Sequence, residues 1–146
     1  MQIEPSYQTI KVGEPILLGK QSLSESEIIE FGKAFDPLYF HIDKAKAEKS
    51  IFKGLVASGP HIFQIMHRNY WIPMFGKTVL AGLEVNKWKF LKPVYPNREV
   101  ECFVTISSKK LNSDGKSATI KWLYDFNYSD SKELVQCLEM TVLHSV

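Results

Sequence analysis

The stretch Ser58-Gly59-Pro60-His61-Ile62-Phe63-Gln64-Ile65-Met66-His67-Arg68-Asn69-Tyr70 reads as a helix meant for burial. Gly59 suits an N-cap, and Pro60 suits the first helical position, where a missing N–H does no harm. In the body from His61 to Tyr70, apolar Ile62, Phe63, Ile65, Met66 and Tyr70 cover much of the circumference. A helix with so little polar surface packs against other elements rather than facing water. Pro73 and Gly76 close the region.

What covers that helix is written downstream, where the hydrophobic period changes from helical to alternating. Val100, Cys102, Val104 and Ile106 alternate with Glu99, Glu101 and Thr105. Ala118, Ile120, Trp122, Tyr124, Phe126 and Tyr128 repeat the pattern, and Leu134, Leu138, Met140 and Val142 do so again, with Gln136 as an exception. These are three half-buried strands by the period-two rule. Asn112-Ser113-Asp114-Gly115 joins the first two as a hairpin turn, and Tyr128 to Lys132 forms a second turn. Val79 to Leu91 reads as a fourth, long strand, and Val12 to Gly19 as a short edge strand. The aromatic stripe of Trp122, Tyr124, Phe126 and Tyr128 suits a core or a subunit contact better than a base-stacking platform.

Upstream, Ser24 to Glu27 fits a capping box, and Leu23 with Ile28 fits a hydrophobic staple. Ile28, Phe31 and Phe35 continue at helical spacing until Pro37, which pushes Asp36 out of the helical region into extended backbone. Asp43 can cap a short helix over Lys44 to Lys49, and Gly54 breaks the run. The economical arrangement is α+β: an antiparallel sheet whose apolar face is covered by the most apolar helix. Periodicity alone does not choose among α+β topologies.

Composition bounds the functions. The 146 residues suit one domain, 1–146, with one core. Net charge is +2, and the densest basic groups, Lys44/Lys46/Lys49 and Lys87/Lys89/Lys92, make no nucleic-acid footprint. They read as a solvated face, with a modest role beside an anionic carrier as the alternative. The N-terminus lacks an apolar signal-peptide core, and no apolar run approaches the ~20 residues of a membrane span. Cys102 and Cys137 sit in strand-like runs, where buried reduced thiols are the default. These features predict a cytoplasmic protein without membrane or nucleic-acid partners.

Four segments, in order, resemble the MaoC-like acyl dehydratases and (R)-specific enoyl-CoA hydratases. Phe35-Asp36-Pro37-Leu38-Tyr39-Phe40-His41-Ile42-Asp43 resembles their signature loop, and Phe52-Lys53-Gly54-Leu55-Val56-Ala57-Ser58-Gly59 their lead-in to the central helix. Trp88 to Pro96 is similar to their strand-and-turn segment, and the closing two strands fit as well. The resemblance implies a hot-dog fold, a curved antiparallel sheet wrapped around one long helix. It also implies a homodimer, an acyl-CoA or related acyl thioester substrate, and no metal or other cofactor. Three positions depart from the pattern. Asp36 itself precedes Pro37, where many members have asparagine; Ser58 stands where many have histidine; Asn97 replaces a turn glycine, a change asparagine's tolerance of positive φ accommodates.

Hydrating a 2-enoyl thioester requires a base to take a proton from water, an acid to protonate the α-carbon, and donors for the enolate-like oxygen. Aspartate and histidine, with ordinary pKa values of about 3.9 and 6.5, can divide the proton transfers around one water. The resemblance puts Asp36 and His41 in this role, without fixing which takes the first proton. On their own residues, Asp36 also reads as a turn residue and His41 as a loop histidine held by a carbonyl. Asp43 reads as a helix cap. Gly59, at a helix start with unsatisfied N–H groups, is a candidate substrate-binding donor. Ser58 either hydrogen-bonds substrate or caps the helix. His61, His67 and His144 lack partners at metal-ligand spacing. The expected activity is that of a hydro-lyase. A hot-dog thioesterase is the enzymatic alternative, although Pro60 to Tyr70 contains no carboxylate for it. A non-catalytic acyl-thioester-binding subunit of a hot-dog heteromer is the third reading, and the retention of Asp36 with His41 argues against it.

Overall fold

The computed structural model describes residues 4–146. Helix α1, Glu25–Phe35, begins where the capping box predicts. Ser24 Oγ accepts from the Glu27 N–H, and the Glu27 carboxylate accepts from the Ser24 N–H at 3.1 Å each. It ends at Asp36, whose φ of −158° and ψ of 69° leave the helix. Beyond Pro37, Tyr39–Ile42 coil into a single turn, α2. One turn is too short to leave a periodic signal. Asp43 then caps α3, Lys44–Glu48, by accepting from the Lys46 N–H.

The central helix starts one residue earlier than expected. Ser58, not Gly59, is the N-cap, so α4 spans Gly59–Met66 with Gly59 and Pro60 inside its first turn. It also runs past Pro73. A π-helical turn over His67–Trp71 lets the Ile72 N–H bond the His67 carbonyl, and α5, Ile72–Phe75, continues the rod to a 3₁₀ turn at Gly76–Thr78. Proline in a regular α-helix forfeits a hydrogen bond and collides with the preceding turn. The widened turn just before Pro73 lets the helix pass it without breaking.

Five strands make one antiparallel curved sheet: β1 (Ile16–Gln21), β2 (Val79–Phe90), β3 (Val100–Leu111), β4 (Ser117–Tyr128) and β5 (Leu134–Ser145), in the order β1-β3-β4-β5-β2. The edge strand begins later than Val12, which makes only an isolated bridge to Ile106. Gly115, at φ 69°, closes the β3–β4 hairpin, and Asn97 does adopt positive φ, at 61°.

The sheet wraps the central helix. From β4, Trp122, Tyr124 and Phe126 are almost fully buried, and two of them meet helix residues edge-on or tilted: Tyr124 against Phe63, and Trp122 against Trp71 and Phe75. The aromatic stripe is therefore core. Each large apolar side chain removed from water this way contributes roughly 1.5–3 kcal/mol. Cys102 is fully buried, and desolvation pushes its thiol well up, whereas Cys137 is only half-buried. Among the described residues no helix is long and apolar enough to cross a membrane.

Candidate active site

Asp36 and His41 meet where α1, α2 and the start of α4 converge. The Asp36 N–H bonds the Gly32 carbonyl at 2.8 Å, and the His41 N–H bonds the Leu38 carbonyl at 2.9 Å. Pro37 sits between these anchors and stiffens the link. Gly32 permits the approach of α2 to α1: a Cβ there would lie 3.0 Å from both His41 Cβ and Ile42 Cγ2.

The segment leading into α4 is tied down from both sides. The Val56 N–H bonds the Phe40 carbonyl at 3.1 Å, and the Ala57 N–H bonds the Val94 carbonyl at 2.9 Å. The Val56 carbonyl in turn takes a 2.6 Å hydrogen bond from His41 Nδ1. A carbonyl only accepts, so Nδ1 carries a proton and Nε2 is the nitrogen free for chemistry. Nε2 lies 3.4 Å from Asp36 Oδ2, with the imidazole side chain 7% exposed and the carboxylate 33% exposed. His41 is thus held by a carbonyl and faces Asp36 at once, and it is buried rather than part of an open loop.

Ser58 has a partner that neither reading of it named. It makes no side-chain cap; its hydroxyl donates to Asp36 Oδ2 at 2.7 Å across a gap of 22 residues, from a position 1% exposed. The carboxylate is therefore fixed through one oxygen by Ser58, which leaves Oδ1 to the cleft. That link joins residues distant in sequence, so no local pattern announces it.

Asp36, His41 and Gly59 line a cleft of about 380 Å³, with apolar walls from Phe52, Val56, Phe90 and Val94. At the helix start, Pro60 has no N–H and the His61 N–H is engaged by the Ser58 carbonyl at 3.0 Å. Among the first three residues of the helix this leaves the Gly59 N–H as the backbone donor beside the cleft. Gly59 is also in close contact with the sheet, because a Cβ on it would fall 2.4 Å from Cε1 of Phe90. His61 does not line the cleft. It stacks on Phe31 at 4.1 Å, and burial pushes its imidazole down to about 4, with Glu27 opposing. It is a neutral packing residue at neutral pH.

Nothing in the sequence marks Gly32, Phe52, Phe90 or Val94 individually. Each serves by position in the folded chain, and only Gln136, another lining residue, left a mark by interrupting an apolar alternation.

Known proteins resemble this chain in sequence and in fold. The MaoC like domain matches residues 8–122. Uncharacterized protein YdeM of Bacillus subtilis is 35% identical over 101 residues, covering 68% of this chain and 71% of that protein. The crystal structure of the MaoC-like dehydratase from Rhodospirillum rubrum superposes with a TM-score of 0.83 at 22% identity, covering 95% of each chain. The (R)-hydratase from A. caviae involved in PHA biosynthesis superposes with a TM-score of 0.71 at 21% identity, covering 92% of this chain and 97% of that one. A match through the signature loop, the central helix and two of the long strands, on a sheet wrapped around that helix, makes the chain a member of the MaoC-like dehydratase family with its hot-dog fold.

Proposed function

We propose that the protein is a hydro-lyase that reversibly adds water across the C2–C3 double bond of a 2-enoyl-CoA or close relative. The observation that carries the proposal is the pairing of Asp36 Oδ2 with His41 Nε2 at 3.4 Å, beside the Gly59 helix start. Family membership supports hydration or dehydration of acyl thioesters in general.

In this reading one water sits against both Nε2 and the carboxylate. At 3.4 Å the two atoms lie beyond an ordinary direct hydrogen bond, so each keeps capacity for a third partner. One group takes the proton as the water oxygen bonds to C3, and that same proton then passes by way of the other group to C2, so that both groups end as they began. The electron pair of the double bond moves to the thioester oxygen in between, and the Gly59 N–H, at the positive end of α4, donates to that oxygen. Ser58 holds the carboxylate in line. The apolar walls receive the acyl chain, and exposed Lys92, at the cleft although partnered with Glu133 at 3.6 Å, gives the anionic carrier a cation nearby.

The active unit is a homodimer. Strand β2 is a twelve-residue sheet edge that exposes Leu80, Leu83, Val85 and Phe90. A long apolar edge of this kind calls for a partner, and a second copy covers it symmetrically.

The test is a panel of 2-enoyl-CoAs of short, medium and branched chain, followed by loss of the conjugated thioester absorbance. At least one is hydrated, to the (R)-3-hydroxy product. Thiol release without hydration of any panel member replaces the proposal with a thioesterase.

A further inference from the structure

Strand β5 points Leu138, Met140 and Val142 toward the helix from alternate positions, all buried. Gln136 continues that row and is also buried, at 2% exposure, yet it is polar. Its Nε2 has no hydrogen-bond partner, and the residue lines the same cleft as Asp36, His41 and Gly59. Its register fixes where it stands. Gln136 lies directly across from Phe90 of β2, the residue whose ring packs on Gly59, and from Phe126 of β4. Directly opposed residues have neighbouring side chains on one face of the sheet. An unpaired amide therefore sits among aromatic and aliphatic walls, one side chain away from the helix start.

Burying an amide without a partner is unfavourable, and a saturated hydrocarbon chain filling the cleft leaves that deficit in place. A ligand group that supplies the missing partner removes it. An amide offers a donor and an acceptor together, and an enolate oxygen accepts only, so it satisfies half of Gln136. A hydroxyl satisfies both halves. We propose that Gln136 is a specificity-determining residue that selects an acyl chain bearing a hydroxyl group beyond the reacting carbons, in preference to a plain alkyl chain. The inference rests on the acyl-thioester reading of the cleft. It does not depend on turnover.

Calorimetric binding separates the two. Hexanoyl-CoA and its 4-, 5- and 6-hydroxy derivatives are saturated, so they report acyl recognition without reaction. The expected result is that at least one hydroxylated ligand binds wild-type protein about tenfold or more tightly than hexanoyl-CoA, the scale of one to two well-formed hydrogen bonds. Gln136→Leu then abolishes the difference and binds hexanoyl-CoA at least as well as wild type does. The proposal is overturned if wild type binds no hydroxylated ligand better than hexanoyl-CoA, a comparison that needs no variant. It is also overturned if the preference survives in Gln136→Leu, or if that variant weakens all four ligands alike, which would place the contact on the carrier. A preference that is present while 2-hexenoyl-CoA and its hydroxylated analogues go unhydrated supports the specificity assignment and removes the hydratase reading alone.

Discussion

Ser58→Ala is the most informative perturbation, because it acts on the reacting pair through a single contact. The substitution deletes the 2.7 Å hydrogen bond to Asp36 Oδ2 and leaves backbone and cleft walls unchanged. Hydrogen bonds to charged groups contribute roughly 1.5–3 kcal/mol when buried. Here the carboxylate is 33% exposed, so water replaces part of the loss and the stability change stays near 1 kcal/mol. Turnover responds more strongly. A freed carboxylate samples positions about 1 Å from its productive one, a displacement that lowers rates by up to ~10²-fold. Hydration kcat should fall about 10- to 100-fold with KM nearly unchanged, since Ser58 touches Asp36 and not the cleft. Ser58→Thr, which keeps the donor, should recover most of the rate. The decisive measurement adds Ser58→Ala to Asp36→Asn. If Ser58 works only by positioning Asp36, the double variant is no slower than Asp36→Asn. A multiplicative loss, or a rise in KM with kcat intact, would refute the positioning role and return Ser58 to direct substrate contact.

Asp36→Asn and His41→Gln should each lower kcat by ~10²–10⁴-fold in the same absorbance assay, but they part in stability. Asp36→Asn stays near wild type in thermal unfolding, whereas His41→Gln, removing a buried ring held by the Val56 carbonyl, destabilises by about 1–3 kcal/mol. Gly59→Ala should reduce turnover sharply, because the added Cβ would collide with the Phe90 ring and displace it on the cleft wall; unchanged kinetics would mean that this wall is not where substrate lies. Acid should destabilise the fold through His61 and His144, both pushed down to about 4 by burial from an ordinary 6.5. Between those values the unfolded chain binds the protons, so stability is complete above about pH 6.5 and falls as pH drops toward 4, by up to ~1.4 kcal/mol per pH unit per histidine. His61→Leu should flatten that slope in denaturant titrations at pH 5 and 7, and an equally steep slope would count against its neutral burial. On the proposed dimer, the wild type should sediment as a dimer and Leu83→Lys on the β2 edge as a monomer.

The elements readable in advance carry their signal locally. The capping box of α1 needs only Ser24 and Glu27, and the alternation of β3, β4 and β5 needs only neighbours within each strand. The loop from Phe35 to Asp43 carried the pair through family resemblance, and the structure places Asp36 and His41 together. What escaped depends on contacts between distant segments. The π-helical turn that carries the helix past Pro73 is a property of backbone spacing, not of residue type. The one-turn helix α2 exists because its Tyr39 and Phe40 carbonyls accept from the Asp43 and Val56 N–H groups, and neither bond has a sequence signature. Ser58 looked like a cap because serine before a helix usually caps; here a carboxylate 22 residues away competes for its hydroxyl and wins.

The same contacts separate the Asp36–His41 pair from the walls of the cleft. The reacting pair hangs on backbone groups: Gly32 and Leu38 carbonyls hold the turn, the Val56 carbonyl sets the imidazole tautomer, and Phe40 and Val94 carbonyls pin the segment between them. Side chains of the acyl walls take no part in those bonds. Phe52, Phe90, Val94 and Gln136 reach the cleft from other elements, with the central aromatic core of β4 behind them. A change of wall residue therefore alters cleft shape and polarity without moving Nε2 relative to Oδ2. This separation predicts that wall variants shift KM between acyl substrates at nearly constant kcat, whereas Ser58, Gly32 and the pair itself shift kcat across all substrates alike. Gly32→Ala is the sharpest case. It lies outside the cleft, yet its Cβ meets His41 Cβ and Ile42 Cγ2 at 3.0 Å and the His41 carbonyl oxygen at 3.1 Å, so α2 must give way. A shift of a few tenths of an ångström at His41 should lower kcat several-fold for every acyl chain tested, as misplacement of a reacting group does. A Gly32→Ala protein whose losses depend on chain length would show that α2 shapes the acyl pocket instead of aiming the imidazole.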